Sequence, residues 1–233
     1  MTRSVPAWLD LGNPRPKQPL TAYTPIQWSG QRIALPTKGA TRAPHLAAVL
    51  ASRRSRRDFA APASLDDLAA LLELCCRTRE LQASDLGFDL EFRPHPSAGA
   101  IHSVHTLLQR AVDEDWMYYD AQVHQLVLLP GTSAAANAAR NAAEELIVSA
   151  ANASLIALVA EPDKAAAKYN SPGSLIWRDA GVIMGYFSIC AEALALSFCP
   201  LGITGQPMLD RDLDEQGRLC GVGMALLGRT HLG

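Results

Sequence analysis

The chain has 233 residues, 48% of them hydrophobic, ample for a buried core in one large domain or two small ones. Its formal net charge of −2 excludes a general nucleic-acid binder or a membrane-surface binder, because either needs a large positive excess, so any cationic site must be local. Cys75, Cys76, Cys190, Cys199 and Cys220 include one adjacent pair and no C-x-x-C spacing; they suit neither a disulfide framework nor a zinc site, and fit reduced thiols in a cytoplasmic protein. No stretch reaches the roughly 18 uninterrupted apolar residues of a membrane span, and the N-terminus lacks the apolar segment of an export signal.

Residues 1–44 carry Pro6, Pro14, Pro16, Pro19, Pro25, Pro36 and Pro44 without any sustained hydrophobic period. They are expected to form a Pro-rich N-terminal arm that lies on something else, with the domain proper over 45–233. From Leu46 a helix through Ala51 runs into an arginine cluster. Ser64 and Asp67 make a capping-box pattern ahead of Leu68, Leu71, Leu72 and Cys75, which predicts a helix from Leu65 to about Arg77. Ile101–Leu108 and Val123–Leu129 suit two strands joined by the acidic and aromatic connection Asp113–Asp120. The Ala-rich stretch Ser133–Ala153 predicts a helix with Asn137, Arg140, Asn141 and Glu144 on its polar side. Leu155–Ala160 suits a third strand. Asp179–Leu196 is a longer, almost wholly apolar helix, buried on most sides either in the core or in a subunit interface. Val222–Leu227 is the last strand. There is no regular β-α alternation and no internal repeat, which favours an α+β domain over a doubly wound one.

Four short segments carry chemistry. Arg53-Arg54-Ser55-Arg56-Arg57 sets four guanidinium groups around one hydroxyl, donors suited to a phosphate. On a helix end Arg53, Arg54 and Arg57 converge while Arg56 points elsewhere; taken alone, a solvated basic patch also explains the run. Arg93 to Ala100 holds two prolines, a serine and a glycine just before a strand, and predicts a loop. Lys168-Tyr169 falls in a polar connection after the third strand and on its own is an ordinary solvated pair. The long helix closes with Cys190–Leu196, and Ser197–Gly202 follows as a loop in which Gly202 lets the backbone approach a ligand or, with Gly205, shapes a turn.

Arg-Arg-Ser-x-Arg-x-Phe followed by Ser64-Leu65-Asp66-Asp67-Leu68, then Pro96-Ser97-Ala98-Gly99-Ala100, then the helix end and Pro-x-Gly loop, resembles the nitroreductase superfamily over about residues 46–229. The resemblance implies an α+β fold with a central mixed sheet flanked by helices, in an intertwined homodimer with FMN at its interface. It places Arg53, Ser55 and Arg57, with Arg54 close by, on the flavin phosphate and the polar edge of the ring. It lays Pro96, Ser97, Ala98 and Gly99 of the partner subunit along the ring and brings Leu201 and Gly202 up through backbone groups. Arg229, by order alone, is a further phosphate candidate. The chain departs from the pattern at Ile101-His102-Ser103, where the oxidase branch has an aromatic-proline pair, and at Ala195, where the family has a glycine.

Lys168-Tyr169 ahead of Arg178-Asp179-Ala180-Gly181 is similar to the thiazole- and oxazole-forming dehydrogenases of that superfamily, the azoline oxidases. This similarity implies oxidation of a small-molecule or peptide-borne azoline, with hydride passing to the flavin, oxygen as reoxidant, Lys168 as base and Tyr169 sharing or relaying the proton. An NAD(P)H-dependent nitro or quinone reductase is the alternative, in which no substrate base is needed. A non-catalytic flavin-binding or scaffold member, with the arm as its contact, is a third. No metal is expected, because His102 and His105 at i and i+3 of a strand face opposite sides. Tyr118, Tyr119 and Asp120 also resemble a family segment, though packing explains them equally well. Cys75 and Cys76 fit a buried helix. The absence of G-x-G-x-x-G and G-K-[ST] favours bound flavin over a Rossmann nicotinamide site.

Overall fold

The computed structural model describes residues 11–37, 44–112, 114–207, 209, 213 and 216–230. In chain order the elements are β1 (Arg15–Pro16), β2 (Arg32–Ala34), α1 (Leu46–Ser52), β3 (Ala61–Pro62), α2 (Leu65–Cys75), β4 (Glu80–Gln82), β5 (Leu90–Phe92), β6 (Val104–Gln109), β7 (Met117–Asp120), β8 (Gln125–Leu128), α3 (Ser133–Glu144), β9 (Ser154–Ala160), α4 (Pro162–Ala166), β10 (Tyr169–Asn170), α5 (Gly173–Ala193), β11 (Ser197–Pro200) and β12 (Cys220–Arg229). Tight 3-10 turns cover Ala98–Ala100 and Val148–Asn152.

Strand β9 has no polar face to give to water, and all seven of its residues are buried. It is paired on one side by β6 and on the other by β12. Its period of two divides the core: Ile156, Leu158 and Ala160 join the cluster under α2 and α5, while Leu155, Ala157 and Val159 join the one under α3. Each fully buried leucine or isoleucine contributes about 1.5–3 kcal/mol of apolar burial. The central sheet runs β11-β12-β9-β6-β7-β8-β2, with β3 also on β12. Every pairing among the described residues is antiparallel, so the sheet expected to be mixed is antiparallel in this chain.

Helix α2 starts on the predicted capping box: the Ser64 hydroxyl accepts from the Asp67 amide at 3.2 Å and the Asp67 carboxylate accepts from the Ser64 amide at 2.9 Å. Helix α5 begins six residues before the predicted start and buries one stripe, Ile176, Ala180, Ile183, Phe187 and Ala191, whereas Trp177 on its other side is 42% exposed. The predicted helix from Ser133 to Ala153 stops at Glu144. Arg140, expected on the polar side, is instead buried, and its guanidinium donates to the Gln109 side chain and to the carbonyls of Ala150 and Ala153 at 2.8–3.1 Å. Those carbonyls lie in and just after the 3-10 turn that replaces the rest of the helix. Three strands lie where connections were expected: β7, whose Met117 and Tyr119 are buried in alternation, β11, which zips onto β12, and the two-residue β10. The arm pairs with the domain as a strand at two places, β1 on β10 and β2 on β8 at the edge of the central sheet.

Candidate functional site

The arginine run leaves helix α1 rather than extending it. Arg53 is the C-cap residue, with φ −51° and ψ 128°, and the chain from there through Phe59 is neither helix nor strand. Arg56 is the one the structure takes out of play: its guanidinium meets both oxygens of Glu192 near the end of α5 at 2.9 and 3.0 Å. Burial resists charge on Glu192, but hydrogen bonds from Ser52 and Arg56 hold its carboxyl below the usual range. Among the described residues Arg53, Arg54 and Arg57 close no ion pair with a carboxylate; Arg53 is half-buried and Arg54 and Arg57 are exposed. Ser55, half-buried, sits between them. The Arg56 amide donates to the Phe198 carbonyl at 3.0 Å, which ties the run to β11. Beyond that strand, the Leu201 amide donates to Met224, and Gly202 is exposed with open space where a side chain would stand.

Pro96 to Gly99 forms the second group. Asp179, on the first turns of α5, accepts from the Ser97 hydroxyl at 2.6 Å and from the Ala98 amide at 3.2 Å, and the Ser97 oxygen accepts from the His102 amide at 3.0 Å. Burial raises the Asp179 carboxyl pKa even though those donors pull it down. An open cavity of about 380 Å³ lies against this loop, lined by Pro96, Ser97, Ala98, Leu175, Arg178 and Val182 among others. Gly99 has φ 63°, a backbone region that glycine adopts freely. A Cβ on it would stand 2.7 Å from the Tyr169 hydroxyl and 2.8 Å from the Lys168 amine. The loop and the Lys-Tyr pair, 69 residues apart from Gly99 to Lys168, are therefore in contact at the one residue that has no side chain.

Asp179 and Glu192 mark where the two groups touch α5, and thirteen residues at about 1.5 Å each put them on the order of 20 Å apart along its axis. One chain thus carries the arginine end and the Lys-Tyr end of the candidate site at opposite ends of the same helix. Arg229, the last phosphate candidate, is engaged elsewhere: it forms a two-pronged ion pair with Asp67 at 2.8 and 2.9 Å and reaches Ser64 at the start of α2.

Behind Lys168 lies a buried polar cluster that the sequence motifs did not mark. Glu161 is fully buried and accepts from the Tyr23 hydroxyl at 2.8 Å, the Ile26 amide at 2.7 Å and His105 Nε2 at 2.9 Å. Burial would raise its pKa, but His105, Tyr23 and Ile26 together lower it. Glu91 is in the same position: burial opposes its charge, yet Arg93 at 2.7 Å and Thr78 hold it at about 2. Burial depresses Lys164, whose amine donates to the His102 carbonyl at 3.3 Å. Only an isolated carboxylate just after an apolar strand, Glu161 after Ala160, could have signalled this cluster in the sequence. Cys75 and Cys76 are buried and free, and burial pushes the Cys76 thiol up to about 12, which suits core residues rather than nucleophiles. No helix among the described residues is long and apolar enough to cross a membrane.

No protein-family model matches the chain, and no curated protein sequence matches it. Solved structures do. A protein from Ralstonia eutropha assigned as a nitroreductase superposes with a TM-score of 0.63 at 17% identity, over 95% of this chain and all of that one. The E. coli microcin synthetase McbBCD complex with truncated pro-MccB17 bound gives 0.56 at 13% identity, over 84% of this chain and 77% of the other. A protein from Desulfovibrio desulfuricans assigned as a nitroreductase, in complex with FMN, gives 0.54 at 18% identity, over 82% and 89%. The chain has the nitroreductase fold.

Proposed function

We propose that this protein is an FMN-dependent oxidoreductase that acts as a dehydrogenase on a thiazoline- or oxazoline-type substrate. The observation that carries the reading is the contact of Gly99 with the Lys168 amine and the Tyr169 hydroxyl, because it joins the loop that would lie along a flavin ring to a proton-accepting pair. The fold's FMN-bound relative supports the cofactor. Arg53, Arg54, Ser55 and Arg57 suit its phosphate, since their donors meet no described carboxylate; Pro96, Ser97, Ala98 and Gly99 suit its ring, and Leu201 and Gly202 a backbone approach. Arg229 is left out of this set because Asp67 holds it.

The 20 Å between the two ends of the site within one chain supports a homodimer, in which the arginines of one subunit meet the Gly99 loop and Lys168-Tyr169 of the other. Exposed Leu46 and Leu50, one turn apart on α1, and Trp177 on α5 are apolar surface for such an interface. Gly181 and Gly185, also one turn apart, face open space on α5 and let a partner backbone come close.

Bound FMN supplies a hydride acceptor that oxygen can reoxidise. The residues of the chain supply the rest: the Lys168 amine takes the proton from one azoline ring carbon while the hydride leaves the adjacent ring carbon, so that a double bond forms between the two, and the neighbouring Tyr169 hydroxyl relays the proton. The substrate loses two hydrogens and becomes the aromatic heterocycle. Flavin-loaded protein incubated under air with azoline-containing peptides should give products lighter by two hydrogens. Turnover of nitroaromatics with NAD(P)H, while azolines stay untouched, would instead establish a reductase.

A further inference from the structure

We propose that the N-terminal arm is a positioning element for the Lys168-Tyr169 pair and that Glu161 is its latch; the proposal rests on Lys168 serving as the base. The segment that presents the pair is too short to hold itself: α4 has five residues and β10 two, below the length at which either kind of element persists alone. The arm grips it along its length. Lys17 donates its amide to the Lys168 carbonyl at 2.8 Å and Thr21 to the Ala167 carbonyl at 3.1 Å. Arg15 and Pro16 pair with Asn170 and Tyr169 in β1–β10, and Gly12 packs on Ser171, whose Cβ would lie 3.1 Å from a Cβ at position 12.

The far end of the grip is Glu161, the residue just before α4. One carboxylate oxygen takes both the Tyr23 hydroxyl and the Ile26 amide from the arm, and the other takes His105 from the central sheet. Glu161 therefore fastens arm, sheet and the Lys-Tyr segment at one buried point. Pro14, Pro16, Pro19 and Pro25 restrict the free arm and lower the entropy cost of ordering it there. With the arm in place, the backbone of Lys168 is fixed from one side and its amine meets Gly99 on the other. The expectation is that loosening the arm moves the pair without disturbing the phosphate end, which is about 20 Å away along α5.

Three variants test this on the full-length flavoprotein. Glu161→Ala removes the acceptor of Tyr23, Ile26 and His105 at once. Tyr23→Phe removes only the arm's hydroxyl and keeps the test alive where Glu161→Ala fails to fold. Glu161→Gln retains an acceptor for both arm donors. The readouts are tryptic cleavage after Lys17, labelling of Lys168 by an amine-reactive ester read by mass spectrometry, flavin content, and kcat and KM for azoline oxidation. Glu161→Ala should speed cleavage and labelling and lower kcat by roughly 10²-fold, the scale of a misplaced catalytic group, with flavin content and KM little changed. Tyr23→Phe should move the same readouts less far, and Glu161→Gln should restore them. An arm that stays protected in Glu161→Ala, or one that is released while Lys168 labelling and kcat stay at wild-type values, overturns the proposal. Wild-type protein that holds no FMN or spares azolines fails the functional reading instead, and in that case cleavage and labelling still decide whether the arm holds Lys168.

Discussion

Two charged regions, the arginine run at the far end of α5 and the buried cluster near the Lys168-Tyr169 pair, are built on opposite principles. At the arginine end, Arg53, Arg54 and Arg57 meet no described carboxylate. In the cluster behind the pair, each carboxylate is matched: Glu91 by Arg93 and Thr78, Glu161 by His105, Tyr23 and the Ile26 amide. Unmatched charge at a surface is inexpensive because water solvates it, and it is available to a ligand; matched charge in the interior is structural, because leaving it unmatched would cost several kcal/mol. On the proposed reading the first region is the one that meets a ligand and the second sets geometry.

The sharpest way to break this division is at the pair itself. Lys168→Ala should keep the flavin and the fold but lower azoline oxidation by about 10²–10⁴-fold, the usual weight of a general base; undiminished turnover would remove Lys168 from the mechanism. In the buried cluster, Arg93→Ala should destabilise the fold by about 3–5 kcal/mol, because it strands the Glu91 carboxylate in the interior. Removing an exposed cation such as Arg54 should cost almost nothing in stability. Urea unfolding of both variants compares the two regions directly, and equal losses would erase the distinction.

Acid sharpens it further. Burial, then the Arg93 charge, lowers the His95 pKa to about 4. A depressed folded pKa means that the unfolded chain takes up a proton the folded chain refuses, so stability is full above about 6.5 and falls as the pH drops toward 4, by on the order of 3 kcal/mol for this one residue. His95→Phe should flatten that limb of a plot of urea midpoint against pH; an unchanged slope would refute the burial argument. The smallest expected effect lies at the end of α5. Leu196 donates to the Ala191 carbonyl and Ala195 to Glu192, a Schellman closure whose left-handed residue is Ala195, with φ 57°. Ala195→Gly, which restores the residue the resembling family carries there, should raise stability by about 1 kcal/mol, measured as a shift in melting temperature.

What the sequence revealed was local. The capping box of α2, the uninterrupted apolar run of β9 and the long helix each follow from neighbouring residues, and so do the four motif segments. What it concealed depends on partners far along the chain. Arg140 looks like a surface residue until Gln109 and the carbonyls of Ala150 and Ala153 are brought to it. Tyr23 reaches Glu161 across 138 residues, so no window contains the latch. Strands β7 and β11 span four residues each, too short for a period to stand out from the connections around them. The Arg53–Arg57 run offers donors suited to a phosphate, but nothing within it tells that it lies at the opposite end of α5 from Lys168.

The central claim is the proposal that FMN is held between the arginine end of one subunit and the Gly99 loop of another. Heat denaturation of the purified protein, after incubation with FMN and removal of the excess, should release FMN into the supernatant, and an Arg53→Ala, Arg57→Ala double variant should release far less while Lys168→Ala releases as much as wild type. A colourless protein that retains no FMN after incubation would contradict the account.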